Sequence, residues 1–513
     1  DMTGHDGKWL ENIPMDDDSV YQMLRKSQSI GVFQIESEGM RKTLNLIQPT
    51  CFDDIIAIVA LYRPGPMQYL EVYANRKHGR ETAVYPHPSA EKILAPTYGI
   101  MVYQEQVMQL SRALANFSAG DSDVLRKAIG KKKLDLMEKM ESQFKSGCIN
   151  HSGMDSTKVD QLWDDIVKFA EYSFNKSHAA AYALISYRTA YLKKYFPVEF
   201  YAATISSSVS NPDKLSFYLE AARKEGIEIM TPDINTSKES FSVVALEQVP
   251  STEGKMTEGR AKTLGGVPFI GDSNESRSKT GKVIRVGLSG IKNVGGEAMI
   301  KILEGRPYKS YQDFVDRVDL SKVNKRVCHS LISVGCFDNM GINRASLLSV
   351  YDKVSKSVNS CEKQMCLFGE GVSGVVEYPD LPSLSLKERL DLEAELLGIC
   401  VSGHAVDAFA ESKDKEFSAF DKLKDDIEVD VFGLVKRFSK IVTKKGDDMA
   451  FMDISSKTGD LKVTIFPRDF EKMREVADEI KEGSGVKVSG RFKENEEFGD
   501  ALIAKEVMIC KAV

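Results

Sequence analysis

The chain has 513 residues, 42% of them hydrophobic and 28% charged, and a formal net charge of -6. That length exceeds one ordinary core, so several domains are expected, while the acidic balance gives no bulk support to a small basic nucleic-acid binder. No run approaches the roughly 18 apolar residues needed to cross a bilayer, and eight scattered cysteines without a CxxC pair argue against structural zinc and a disulfide scaffold, pointing instead to a reducing cytoplasm.

The first residues, "DMTGHDGKWLENIP", are polar and lack an initiator Met; they show no signal peptide and suggest a piece of something longer. From Met15 to about Val209 the pattern is mostly helical. "MDDDSVYQMLRKS" predicts an acidic cap and a helix, and "DDIIAIVALY" a buried helix stopped by "RPGP". "QEQVMQLSRALANF" and "STKVDQLWDDIVKFAEYS" have the i, i+3, i+4 spacing of amphipathic helices. "SNPDKLSFYLEAARKEG" adds a cap, a helix and a Gly stop. Order is expected to weaken from about Phe241 to Lys282, a polar stretch rich in Gly and Ser that reads as a mobile insertion. "VIRVGLSGIKNVGGEAMIKILEG" then predicts a short strand, a turn and a helix, and helices continue to about Gly341. A second weak zone runs from about Lys356 to Ser383, before the charged helix "LKERLDLEAELLG". From about Asp426 the texture alternates. Five strands, with a helix inserted after about the third, predict a small Greek-key barrel of the oligonucleotide-binding type.

Five stretches carry candidate chemistry. In "FNKSHAAAYALISY" a helix start lies beside Asn175, Lys176, Ser177 and His178, a setting suited to phosphate or merely to an N-cap. "GDSDVLRKAIGKKK" is capped by Asp121 or Ser122 and places Arg126, Lys127, Lys131, Lys132 and Lys133 within eight residues. Such crowding calls for a polyphosphate, a nucleic-acid backbone or plain solvation. Arg63 ends an apolar helix just before Pro64-Gly65-Pro66, a turn that can aim a guanidinium or simply stop the helix. "LSGIKNVGGEA" has the form of a helix-hairpin-helix turn, in which Gly290, Lys292, Asn293, Gly295 and Gly296 let backbone N–H groups approach a DNA phosphate. "QMCLFG" exposes Met365, Leu367 and Phe368 after Gln364 in a polar linker, the shape of a peptide that plugs a pocket on a sliding clamp. Asp16-Asp17-Asp18 reads as a helix cap, not a metal site. No Walker, GxSxG or HExxH motif is present.

Taken in order, "GVFQIESEGMRK", "LYRPGPM", "YGIMVYQEQVMQ", "DVLRKAIGKKK", "FNKSHAAAYALISY", "GIKNVGGEA" and "ERLDLEAELLGICVSGH" resemble the bacterial DNA polymerase III alpha subunits, the C-family replicative polymerases, over nearly the whole chain. The resemblance implies a multidomain architecture. Helical polymerase fingers span 1–212, and a helix-hairpin-helix duplex-binding region spans 213–348, with a flexible insertion at about 245–282. A clamp-binding peptide and linker helix follow over 349–425, and a five-stranded OB-fold over 426–513. Phe432, Phe438, Phe451, Phe466 and Phe492 would be available for base stacking there, several of them as core.

The implied function is DNA-templated DNA synthesis, nucleotidyl transfer from a dNTP to a primer 3′-hydroxyl. Partners are primer-template DNA, dNTP, the sliding clamp (beta subunit) and other replicase subunits, with no membrane. Magnesium is expected in the full enzyme, held by palm carboxylates that lie before Asp1, and no catalytic or metal residue is assigned here. Arg126, Lys127, Lys176, Ser177 and His178, with Asn175, Arg63 and Lys131, are the implied contacts to the nucleotide phosphates. The fragment alone is expected to be inactive. The alternative is a non-catalytic DNA-binding and clamp-tethering module.

Overall fold

The computed structural model describes residues 2–130, 134–170, 173–245, 263–264, 267–268, 281–351, 377–409, 417–443, 445–494 and 500–511. It divides into two compact units, Asp1–Thr204 and Ile205–Val513, each taken by itself below.

The first unit is helical. Its elements are α1 (Asp18–Arg25), α2 (Glu38–Ile47), α3 (Phe52–Leu61), α4 (Leu70–Lys77), α5 (Pro88–Leu94), α6 (Gln104–Ala115), α7 (Ala119–Gly130), α8 (Leu134–Ser152), α9 (Ser156–Ala170) and α10 (Lys176–Tyr195), with α11 (Pro197–Ser207) crossing to the second unit. The acidic triplet is a cap, as its pattern suggests. Asp17 accepts from the Ser19 N–H at 2.9 Å, and Asp18 pairs with Arg25 at 2.9 Å. Every residue of α3 from Asp54 to Leu61 is buried, which is why that helix reads as continuously apolar. The one charge in this run, Asp54, lies 2.9 Å from the Lys77 Nζ and also accepts from the Thr50 and Cys51 N–H groups. A buried carboxylate persists when its lone pairs are filled in this way.

A second core lies among α5 to α9, where Leu110, Leu114, Phe144, Trp163 and Ile166 pack together. Gly147 lets α8 meet α6, because a Cβ there would fall 2.3 Å from the Ala115 carbonyl oxygen. One boundary differs from expectation. α7 starts at Ala119, not after Asp121 or Ser122. Ser118 and Asp121 bond reciprocally, backbone to side chain, at 3.1 and 3.2 Å. This is a capping box with Asp at the third position, and Ser122 is buried inside the helix.

The second unit opens with α12 (Pro212–Lys224), capped by Asn211. A three-stranded sheet follows in the order β1-β5-β2, from β1 (Ile229–Met230), β2 (Ser242–Ala245) and β5 (Lys282–Arg285). β5 runs parallel to β1 and antiparallel to β2. β2 corrects the expectation that order fades from Phe241, since this short stretch finds its partner in β5, on the far side of the insertion, along the register Ser242↔Arg285 to Ala245↔Lys282. A two-residue pair, β3 (Thr263–Leu264) with β4 (Val267–Pro268), falls within the expected insertion. The rest of that insertion lies outside the described residues. Helices α13 (Gly296–Glu304), α14 (Tyr311–Arg317), α15 (Lys325–Ser333), α16 (344–351) and α17 (Leu386–Leu397) complete this part. Tyr311, Phe314 and Phe337 are its aromatic core.

An ion-paired knot joins these helices. Arg344 donates to both oxygens of Asp338, to the Ser333 carbonyl at 3.0 Å and to Glu393 at 3.2 Å. Glu393 is fully buried and also accepts from the Val401 and Ser402 N–H groups at 2.8 and 2.7 Å.

The barrel is closed, in the order β10-β8-β7-β6-β9. β6 (Glu428–Val442) is long enough to serve two neighbours. Its first half pairs with β9 (Gly485–Lys493), and from Leu434 onward it pairs with β7 (Asp448–Ser456), with a bulge in that ladder between Val435 and Arg437. β8 (Gly459–Ile465) closes the circle by three parallel pairs with β10 (Ala501–Cys510). Two short helices, α18 (Pro467–Lys472) and α19 (Arg474–Glu479), follow β8, where one helix is expected from sequence. This is the five-stranded barrel read from the alternating pattern.

Truncating Glu393 to Ala leaves the Arg344 guanidinium buried with one of its two carboxylate partners removed. Such a change is expected to cost about 3–5 kcal/mol, seen as a lowered urea midpoint of the whole chain. A shift below about 1 kcal/mol would show that the pair carries little of the stability.

Candidate nucleic-acid interface

The start of α10 is built from three distant segments. Tyr103 and Phe174 form a parallel bridge, and the Gln104 N–H donates to the Phe174 carbonyl at 2.9 Å. Arg63 arrives from the end of α3 and lays its guanidinium 4.0 Å from the Phe174 ring centroid, while its Nε donates to the Ala60 carbonyl at 3.1 Å. Lys176 extends its ammonium to 5.4 Å from the Tyr103 ring and 3.7 Å from Asp53. The exposed His178 imidazole stands 5.4 Å from Phe174 and 4.6 Å from Tyr182. Arg63 and His178, far apart in sequence, thus meet at the Phe174 ring, and Lys176 lies over Tyr103, the residue bridged to Phe174. Partial burial pulls the Arg63 pKa below its ordinary value, so the pocket raises the cost of that charge, and a nearby anion would lower it.

The N–H groups of this helix start are not all available. Asn175 is the N-cap and accepts from His178 N at 2.9 Å. The Lys176 N–H points at both oxygens of Glu105, at 3.1 and 3.0 Å. An anion therefore already occupies the position that sequence offers to phosphate, and it comes from the protein itself. What remains exposed to a ligand is the Ser177 hydroxyl, the Lys176 ammonium and the His178 ring. Sequence reasoning missed Glu105 and Phe174. Glu105 acts across 71 positions, and no local pattern reports such a contact.

The basic face of α7 is less naked than its sequence suggests. Arg126 and Lys127 both pair with Asp123, at 2.9 and 2.7 Å. Their bonds, that of Lys127 first, hold the Asp123 carboxyl below the usual range. The charges remain at the surface and can be drawn to a stronger anion. Lys131 lies outside the described residues.

In the second unit the glycine hairpin has the expected form. Leu288–Gly290 makes one 3₁₀ turn, Asn293 adopts a φ of 74° and Gly295 caps α13. A Cβ on Gly290 would touch the Phe241 ring at 3.0 Å, whereas Gly295 and Gly296 face open space. Two of the five named residues turn inward. Lys292 donates its N–H to the Leu396 carbonyl at 2.8 Å, and the Asn293 amide donates to Ser330 at 2.9 Å. The exposed elements at this end are the Gly295–Gly296 backbone and the Lys292 side chain. A second turn, unassigned from sequence, opens α15, where Asn324 caps Arg326 N and Val327 N. "SKVNKR" is its readable signal.

On the barrel, Phe432 and Phe492 are core, while Phe451 and Phe466 are 45% and 44% exposed. Phe451 lies between Ser439 and Thr464 on neighbouring strands, and the next row is Arg437, Asp453 and Lys462. An exposed ring flanked by cations suits a stacked base. Gln364, Met365, Leu367 and Phe368 lie outside the described residues. Among the described residues no group of three or more His, Cys, Asp or Glu is placed to hold a metal ion; Asp17 is engaged as a helix cap and Asp18 is paired with Arg25. The described residues therefore do not fit a two-metal centre.

A helical block with an aromatic-cationic corner, glycine hairpins and a closed five-stranded barrel define an assembly of nucleic-acid-binding modules. Residues 2–152 match the bacterial DNA polymerase III alpha subunit finger domain, 226–347 a helix-hairpin-helix motif and 416–509 an OB-fold nucleic acid binding domain. The chain is 36% identical to the DNA polymerase III subunit alpha of Aquifex aeolicus, over 98% of this chain and 40% of that one. Those of Campylobacter jejuni (37%, 91% and 38%) and Bacillus subtilis (34%, 94% and 40%) are similar. A solved asparaginyl-tRNA synthetase from Pyrococcus horikoshii overlaps 20% of this chain and 23% of that chain at 22% identity, with a TM-score of 0.17, which carries no argument. The chain belongs to the DNA polymerase III alpha-subunit family and spans about two fifths of the length of the curated relatives it matches.

Glu105→Gln keeps the shape but removes the charge facing the start of α10. It is expected to lower stability by about 1 kcal/mol and to speed amide exchange at Lys176 and Ser177, read by hydrogen-exchange mass spectrometry. Unchanged exchange there would show that the carboxylate does not hold the helix start.

Proposed function

We propose that this chain is the nucleotide-holding and DNA-gripping part of a DNA-templated DNA polymerase. The convergence of Arg63 and His178 on Phe174, with Lys176 over the bridged Tyr103, is the observation that carries this reading, in a chain whose relatives are polymerase subunits along 91–98% of it. In nucleotidyl transfer, negative charge grows on the leaving pyrophosphate. Fixed cations aimed at that charge lower the barrier without reorganising. Lys176, His178 and Ser177 are suited to the beta and gamma phosphates, Arg63 supports them from the Phe174 face, and Arg126, Lys127 and Lys131 add a second cationic surface. Asn175 holds the helix start. Asp53 and Glu105 keep the corner near neutral until a phosphate competes for Lys176.

The Gly295–Gly296 backbone and the Lys292 side chain are proposed to meet the duplex backbone, with Gly290 and Asn293 shaping the turn from within. The barrel would meet single strand through Phe451. Magnesium is proposed to be held in the full enzyme by carboxylates outside this chain, and no step is assigned to it here. Other replicase subunits are proposed partners. The reducing cytoplasm is the proposed compartment, in keeping with buried thiols at Cys148, Cys328 and Cys336.

Placed in a full-length subunit, Lys176→Ala is expected to raise the apparent KM for dNTP or lower kcat by about tenfold, the weight of one charge-assisted phosphate contact. Its Kd for primer-template should stay near that of the parent. Equal loss of DNA affinity would move Lys176 from the nucleotide to the strand. Wild-type kinetics would remove it from the site.

Gln364, Met365, Leu367 and Phe368 are proposed to plug a sliding clamp. Leu367→Ala with Phe368→Ala should abolish clamp binding in surface plasmon resonance while sparing DNA binding. Retained clamp affinity would exclude this peptide.

A further inference from the structure

A cleft of about 750 Å³ lies within the second unit, lined by Arg223, Arg285 and Ile399 from its helical part and by Leu434, Lys436 and Lys457 from the barrel. That volume falls in the range of sites for nucleotide-sized molecules, roughly 300–1,000 Å³.

Arg285 is the unusual member. It lies on β5, the central strand of the small sheet, and is 5% exposed. Yet among the described residues it forms no ion pair, and its Nε has no hydrogen-bond partner. Its other contacts are thin. Nη1 reaches the Thr231 carbonyl at 3.4 Å and Nη2 the Met230 sulfur at 3.7 Å. A guanidinium has five donors in a planar fork, and burying it with so few partners is costly. Burial pulls its pKa below the ordinary value, and Asp233 only opposes that from a distance.

The carboxylates around the cleft are mostly committed elsewhere. Asp407 is paired with Lys457, Asp460 with Lys436 and Asp338 with Arg344. Asp233 accepts from Asn235, Thr236 and Asn339. Glu220, Glu228 and Glu482 also line the cleft but make no ion pair with Arg285. One buried cation thus faces a cavity with donors unspent.

We propose that this cleft binds a phosphate group on Arg285, with the apolar body of the ligand against Ile399 and Leu434. A planar fork with an unpartnered Nε and only long contacts from its other two nitrogens fits a phosphate better than a point charge would. The choice of phosphate over other anions rests on the nucleic-acid reading of the modules on either side. The group comes either from a free nucleotide or from the end of a strand.

The test uses the whole chain and two probes, dAMP and a 5′-phosphorylated trinucleotide, in calorimetric titrations against the parent, Arg285→Met and Leu434→Trp. Arg285→Met replaces an under-bonded charge by an apolar chain of similar length and should melt at or above the parent temperature. Binding of dAMP weakened at least tenfold by Arg285→Met supports the proposal with a free nucleotide as ligand. The same loss seen only with the trinucleotide supports it with a strand end. Absence of binding to the parent, or equal affinity in Arg285→Met, overturns it. Should Arg285→Met fail to fold, Leu434→Trp, which fills the cleft from the barrel side, decides by the same criterion. Duplex affinity measured in parallel reports on the nucleic-acid reading itself, so a failure of that reading is seen separately.

Discussion

The candidate nucleotide corner depends on one carboxylate that faces two helix starts. Glu105 lies in the first turn of α6 and accepts from the first N–H of α10. Both helix dipoles are positive there, each interaction being worth about 0.3–1 kcal/mol and more when partly buried. The charge therefore fixes where α10 begins relative to α6. The Tyr103–Phe174 bridge fixes the same junction from the backbone side. Once Phe174 is held, Arg63 has a face to lie on, and Lys176 and His178 project from a defined first turn. The cationic corner is a consequence of the junction more than of the cations themselves.

The second unit uses a costlier device. The end of α15, the start of α16, the middle of α17 and the chain at Val401 converge on the pair Arg344 and Glu393. A hydrophobic knot of the same volume would hold as well or better by stability alone. What the charges add is stoichiometry. Glu393 has a fixed set of lone pairs, filled by a guanidinium, two N–H groups and the Ser402 hydroxyl, so only one arrangement of these segments satisfies it.

Much of this was legible in the sequence. Helix starts at Asp17, Asn175, Asn211 and Ser385 announce themselves by side chains that can cap. The barrel announces itself by alternation, interrupted where α18 and α19 fall. The hairpin at Leu288–Gly296 follows from glycines set among aliphatic residues. Other features were not legible, and for a common reason. Glu105, Asp123 and Glu393 look like ordinary surface acids, because a carboxylate's partner is set by the fold and not by its neighbours in the chain. β2 escaped notice because its partner lies beyond a polar insertion. Phe432 and Phe451 look alike in sequence, yet the first is core and the second exposed. Arg285 did leave a trace, a cation set among aliphatic residues in "VIRV", which the strand pattern alone did not flag.

The bond from the Lys292 N–H to the Leu396 carbonyl has a mechanical meaning. It ties the tip of the glycine hairpin, main chain to main chain, to the last turn of α17. Tension applied at that hairpin cannot be absorbed by side-chain rotation, since no side chain is in the link. It passes into α17, and from there through Glu393 to Val401 and Ser402, on the rim of the cleft that holds Arg285. The hairpin, the helix and that rim are therefore joined by a continuous series of hydrogen bonds, the first between main chains and the last through the buried Glu393 carboxylate.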